Sequence, residues 1–172
     1  MKKVCFLFAI LFTCLVSGQN KENPLVILDS KNIGFMNEAQ SILKPINPDD
    51  ISTMSVYKGD ESKKYGSESG VIIITTKKFV LDNFYKNNIE NSPLKKEIPT
   101  PEILTKIGIL GSKADSKNLP YDELKKYINT NTVNNDTVLQ IAKIAFIKPS
   151  DAQKINPKWK FGALEITPFV AE

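Results

Sequence analysis

A run of β-branched residues, Val71 to Thr76, is the feature that most constrains the fold of this chain. It reads Val-Ile-Ile-Ile-Thr-Thr and is followed by two lysines. An apolar run of this length and composition is typical of a strand that is buried on both faces. The sequence therefore predicts that these residues form an inner strand of a sheet.

The residues before this run predict a compact unit of strand, helical turn and loop. Ser52 to Lys58 alternates well enough for a strand, and the polar segment Asp60 to Tyr65 suits one turn of helix. Gly66 and Gly70 then bracket a loop in which a positive φ angle costs little. The pattern indicates an architecture and contains no catalytic motif.

These motifs also carry a resemblance to a known family. In order along the chain they are Asn47-Pro48-Asp49-Asp50-Ile51, Lys58-Gly59, Tyr65-Gly66 and Gly70-Val71-Ile72-Ile73-Ile74-Thr75-Thr76-Lys77-Lys78. The series resembles the plug domain of TonB-dependent outer-membrane receptors, particularly the starch-utilisation type of Bacteroidetes. Upstream, Pro24 to Asp29 is similar to the preceding strand of that domain, which usually ends in Asp-Gly; here Ser30 replaces the glycine.

The resemblance spans residues 24–78 and implies a fold and an envelope compartment. Transport is not carried over, because a plug without its barrel has no pore to gate. The start of the chain agrees with export, since residues 1–18 have the basic, apolar and small-residue regions of a signal peptide. We expect a mature protein that begins near Gln19, lies in the periplasm or at the outer membrane, and has no transmembrane segment.

Composition narrows the possible functions. The chain has no histidine and no arginine, and both cysteines, Cys5 and Cys14, lie inside the predicted signal peptide. These absences exclude nucleophile–base pairs built on Cys or His, and the usual zinc sites. Without arginine forks for phosphates or base edges, nucleic-acid binding is not expected. We therefore predict no catalytic, cofactor-binding or metal-binding residues, and no cofactor.

The rest of the chain predicts further elements. Leu25 to Leu28 suggests a strand, Glu38 to Leu43 a short helix, and residues 79–90 an amphipathic helix. Residues 91–101 contain three prolines and predict a linker. We accordingly divide the chain into the signal peptide at 1–18, a plug-like module at 24–78, a helix with a Pro-rich linker at 79–102, and a second α+β half at 103–170.

The second half faintly repeats the first. Residues 56–58 correspond to 146–148 at an offset of 90, and residues 70–75 correspond to 162–167 at an offset of 92. A structural duplication and a chance alternation of strands and turns both account for this pattern. The predicted fold class is α+β, with small mixed sheets and helices packed on one face; it is plug-like, and duplication is left open.

Three functions remain open. The first is a non-enzymatic module that binds an envelope protein or receptor. The second is a small-ligand or glycan-binding protein, for which Trp159 and Phe161 offer an aromatic platform. The third is a hydrolase that uses Asp or Glu alone, which requires two carboxylates facing each other across a defined gap. The plug resemblance and the poor catalytic inventory favour the first.

Overall fold

The structure, a computed structural model, describes residues 23–110, 120–130 and 138–169. The predicted signal peptide, and residues 111–119, 131–137 and 170 of the predicted second half, lie outside the described residues. The chain divides into two compact units, with the boundary between Thr76 and Lys77. Unit 1 contains the described residues up to Thr76, and unit 2 contains those from Lys77 onward.

Unit 1 is a four-stranded mixed sheet with short helices. Its elements are β1 (Leu25–Leu28), β2 (Lys31–Phe35), helix α1 (Met36–Leu43), a 3₁₀ turn (Pro48–Asp50), β3 (Ile51–Tyr57), helix α2 (Asp60–Lys63) and β4 (Val71–Thr76). The strand order is β2-β1-β4-β3; β1 and β4 run parallel, and the two outer strands are antiparallel to their neighbours. The β-branched run is thus an inner strand, as predicted.

The side chains of β4 fill both faces of this sheet. Ile72 and Ile74 pack with Val26 of β1 and with Met36 and Ala39 of α1. On the opposite face, the alternate residues of the same strands form a second buried cluster: Leu25, Ile27, Val71 and Ile73, with Tyr57 and Tyr65 beside it. Burying one such aliphatic side chain contributes about 1.5–3 kcal/mol, so β4 anchors both clusters.

The β1–β2 hairpin was not predicted from the sequence. Its two turn residues, Asp29 and Ser30, both have positive φ angles, 51° and 64°, as two-residue hairpin turns of type I′ require. The Asp29 carboxylate accepts hydrogen bonds from the backbone N–H of Thr76, at 2.7 Å, and from its hydroxyl, at 2.9 Å. The turn therefore keeps its shape although Ser30 is not a glycine.

Unit 2 is a three-stranded mixed sheet with a larger helical layer. Its elements are helix α3 (Lys77–Asn88), 3₁₀ turns at Pro93–Lys96 and Pro101–Thr105, β5 (Gly108–Leu110), helix α4 (Pro120–Leu124), a 3₁₀ turn (Lys125–Tyr127), β6 (Ile141–Ile147), helix α5 (Pro149–Ile155) and β7 (Ala163–Pro168). The strand order is β5-β7-β6, with β5 parallel and β6 antiparallel to β7. One apolar core includes Val80 and Phe84 of α3, together with Leu164 and Ile166 of β7.

The segment predicted as a Pro-rich linker differs from that expectation. Residues 93–96 and 101–105 form 3₁₀ turns that each begin with a proline, a position where the missing N–H costs nothing. Ile98 and Leu104 are fully buried in the core of unit 2. The segment therefore packs as part of unit 2, and the prolines start turns instead of marking a flexible connection.

Three strands of unit 1, β1, β4 and β3, have the same order and directions as β5, β7 and β6 of unit 2. The antiparallel β3–β4 and β6–β7 pairings match residue by residue. In unit 1, Met54 of β3 lies opposite Ile74 of β4; in unit 2, Ile144 of β6 lies opposite Ile166 of β7. The offsets are 144 − 54 = 90 and 166 − 74 = 92, as in the sequence repeat. Both pairings also contain an irregularity at the same place, after Ile51 and after Ile141. The predicted α+β class with small mixed sheets is confirmed.

Candidate interaction surface

Strand β3 is an edge strand without charged side chains. It pairs with β4 on one side, and no described strand pairs with its other side. Its sequence is Ile-Ser-Thr-Met-Ser-Val-Tyr. Edge strands are usually protected against pairing by lysine, proline or other devices. The equivalent edge strand β6 carries Lys143 at the position of Thr53, so β3 is the less protected of the two edges.

Two apolar side chains of β3 face solvent. Met54 is 38% exposed and Val56 is 57% exposed. Their equivalents in unit 2, Ile144 and Phe146, pack against the core to which α3 contributes. In unit 1 the apolar cluster on this face includes Met36 and Ala39 of α1, but neither Met54 nor Val56 is part of it.

The flanks of β3 carry opposite charges. Asp49 and Asp50 immediately precede the strand and Lys58 follows it, and all three are exposed. The strand also contains the irregularity near Ser52, whose hydroxyl oxygen is shielded from solvent without a hydrogen-bond partner in the described chain. The surface defined by Met54, Val56 and these flanking residues is called the β3 edge below.

The aromatic pair predicted from the sequence has a different environment. Trp159 is half-buried and lies against Gly108 of β5, where an added Cβ would come 2.2 Å from the indole ring. Phe161 is 62% exposed. Because the indole is in close contact with the backbone of Gly108, only part of its surface is accessible to a ligand. This contact supports a packing role for Trp159 more than a sugar platform.

Glu123 is the most buried carboxylate in the described residues, with 3% exposure. The Lys126 ammonium donates a short hydrogen bond of 2.5 Å to one of its oxygens, and the Tyr127 hydroxyl lies 3.4 Å from the other. Burial, followed by the negative charge of Glu123, raises the pKa of Tyr127 to about 12. The phenol is therefore protonated at neutral pH, and the cluster forms an ion pair instead of the facing carboxylates that a hydrolase needs.

The described chain offers few other chemical groups. Across residues 23–110, 120–130 and 138–169, no three His, Cys, Asp or Glu side chains come together to hold a metal ion. In those same ranges, none of the helices has the length and apolar character needed to cross a membrane. The sequence analysis identified no site at β3. An alignment of the two repeats would have shown that Thr53 of β3 occupies the position of the charged Lys143 in β6.

Comparison with known proteins adds no relative. The chain matches no family model, no curated protein and no solved structure. The plug resemblance therefore rests on the motifs of residues 24–78, and the interaction surface rests on the geometry of unit 1.

Proposed function

We propose that this chain is a non-enzymatic envelope protein whose module resembling the plug of TonB-dependent receptors mediates protein contacts in the periplasm or at the outer membrane. The observation that carries the proposal is the β3 edge. It lies inside the segment that resembles the plug, and it combines an uncharged edge strand with the exposed side chains of Met54 and Val56.

An edge strand of this kind can bind a partner by adding one strand of that partner to the sheet. An added strand forms main-chain hydrogen bonds along the edge, and alternate side chains on each face provide specificity. On β3, the face that carries Met54 and Val56 offers apolar contact, while Asp49, Asp50 and Lys58 at the two ends can select a partner by charge. Such binding requires no catalytic group.

The ion pairs of unit 2 support the absence of catalysis. Asp122 pairs with Lys125 at 3.0 Å, and the buried Glu123 pairs with Lys126. Both carboxylates are thereby engaged by lysines on the next helical turn. The predicted mature chain has no histidine or cysteine with which to activate a nucleophile.

Photo-crosslinking in intact cells tests the proposal. A photoreactive residue at Val56 is expected to give a specific protein adduct, which mass spectrometry of the envelope fraction would identify. The matched control is Ile155 of unit 2, which is similarly exposed, at 53%, and is expected to give no such adduct. The proposal is overturned if Val56 yields no specific protein, and equally if the chain turns over a substrate in a way that one Asp or Glu substitution abolishes.

A further inference from the structure

We propose that the protein that fills the β3 edge is a second copy of this chain. In this arrangement the two β3 strands pair antiparallel about a two-fold axis at Met54, and the two four-stranded sheets join into one. The inference rests on the interaction role proposed above and names the partner.

The charges at the ends of β3 select this register. A two-fold axis at Met54 places each residue opposite the one at the same distance on the other side of Met54. Lys58 lies four residues after Met54 and Asp50 four residues before it, so each Lys58 meets Asp50 of the other copy. If the irregularity near Ser52 shifts the pairing by one residue, Asp49 takes this place. Opposite charges in such cross-strand positions are favourable.

A neighbouring register lacks this complementarity. With the two-fold axis at Ser55, each Lys58 would lie opposite Ser52 of the other copy, because 52 + 58 = 2 × 55, and the opposite charges would no longer meet. The axis at Met54 also brings the two exposed methionines together and sets each Val56 opposite a Ser52, so that part of the exposed apolar surface is removed from water.

The equivalent edge of unit 2 is not suited to the same pairing. An axis at Ile144 would make the two Lys143 side chains diagonal neighbours on one face of the joined sheet. Thr53, which occupies the position of Lys143 in β3, carries no charge. Of these two equivalent edges, β3 permits self-pairing and β6 opposes it. An isologous contact of this kind closes at the dimer.

Charge reversal tests the register. The full chain, with Cys5 and Cys14 replaced by serine, is expected to show a concentration-dependent dimer in sedimentation equilibrium. Lys58→Glu alone, or Asp49→Lys with Asp50→Lys, is expected to weaken the dimer at least tenfold. Combining all three substitutions restores the opposite charges and is expected to restore the dimer. Lys160→Glu, on an exposed lysine of unit 2, is the control that leaves the dimer unchanged.

Cysteine crosslinking tests the position of the axis independently. In the same cysteine-free background, Met54→Cys is expected to form a disulfide-linked dimer on mild oxidation, because the two residues face each other. Val56→Cys is expected to remain uncrosslinked, because the two copies of residue 56 lie about 13 Å apart along the strands. Circular dichroism checks the fold of each variant. If a charge-reversal variant fails to fold, Thr53→Lys takes its place; it copies Lys143 of unit 2 and is expected to weaken the dimer.

Three outcomes overturn the inference. The first is a chain that sediments as a monomer at every concentration. The second is a dimer whose stability does not change on charge reversal at β3. The third is disulfide crosslinking of Val56→Cys without crosslinking of Met54→Cys. If the chain is a monomer and the photoreactive residue at Val56 captures another envelope protein, the second copy is excluded while the interaction role stands. If Val56 captures no protein at all, both proposals fall.

Discussion

Gly70 and Gly162 occupy the same position in the two units. Their φ angles are 96° and 94°, and their carbonyl oxygens accept hydrogen bonds from the N–H groups of Leu25, at 3.0 Å, and Gly108, at 2.9 Å. Each glycine immediately precedes the central strand of its sheet, and each leads it into the parallel pairing. The correspondence between the units therefore extends to the backbone conformation of single residues.

This correspondence predicts the cost of adding a side chain at each glycine. A Cβ at Gly70 would lie 3.2 Å from the Tyr57 carbonyl oxygen, and one at Gly162 would lie 2.7 Å from that of Ile147. With the positive φ, Gly70→Ala should cost at least about 1 kcal/mol of unfolding free energy, and Gly162→Ala more. Gly66→Ala is the control for the φ angle alone, because nothing lies within 4 Å of its Cβ. Equal urea midpoints for the Gly66 and Gly70 variants would contradict the assigned contact.

The β1–β2 turn predicts a stabilising substitution. Ser30 adopts a φ of 64°, which is costly for a residue with a Cβ, whereas Asp-Gly is a preferred pair in this turn type. Ser30→Gly is expected to raise the free energy of unfolding by about 0.5–1 kcal/mol, the relief of strain being offset in part by the flexibility of glycine in the unfolded chain. Thermal denaturation measures the gain. Ser30→Ala removes the hydroxyl but keeps the Cβ, so a similar gain from alanine would show that backbone strain is not the cause.

The contact between Trp159 and Gly108 can be followed by fluorescence, because the chain has a single tryptophan. A Cβ at Gly108 would lie within 2.6 Å of three ring atoms, so Gly108→Ala should displace the indole and shift its emission towards that of a more exposed tryptophan. Overpacking of this kind costs about 1–3 kcal/mol. Gly66→Ala, in unit 1, should leave the emission unchanged. An unaltered spectrum for Gly108→Ala would exclude the close contact.

The raised pKa of Tyr127 predicts sensitivity to alkali. The phenol ionises near pH 10 in the unfolded chain and near pH 12 in the folded one, so its contribution to stability is full below pH 10 and is lost as the pH rises to about 12. Two pKa units correspond to a loss of at most about 2–3 kcal/mol, and solvent screening of the phenol reduces this. Tyr127→Phe cannot ionise and should lose correspondingly less stability across this range. Urea titrations at pH 9, 10, 11 and 12 make the comparison; parallel losses in both proteins would contradict it.

Parts of the fold could be predicted because local sequence and burial agree. The run from Val71 to Ile74 is buried on both faces, as its composition indicated. The amphipathic helix predicted at residues 79–90 packs through Val80 and Phe84. The sequence repeat has offsets of 90 and 92 residues, and the strand pairings of the two units have the same offsets. The repeat was visible in the sequence because both units have a glycine turn before a buried strand, β4 or β7.

Other parts depended on information that the local sequence does not carry. Strand β2, Lys31–Phe35, is exposed or half-buried along its length and contains a glycine, so it has neither alternation nor an apolar run. Its turn uses Ser30 where the recognisable signal is glycine. The linker prediction failed because Pro93 and Pro101 start 3₁₀ turns in a packed segment. The exposure of Val56 depends on strand order and on which helix covers which strand, and neither can be read from the strand itself.

The hydrogen bonds from Thr76 to Asp29 have a consequence for how unit 1 opens. The last residue of β4 is held by a side chain of the β1–β2 turn, 47 positions earlier in the chain. The β1–β2 hairpin and strand β4 are therefore expected to open together as one foldon. The amide proton of Thr76 would exchange with solvent only when the β1–β2 turn opens. The hydrogen bonds at the end of β4 thus couple the first and the last strands of unit 1 into one cooperative element.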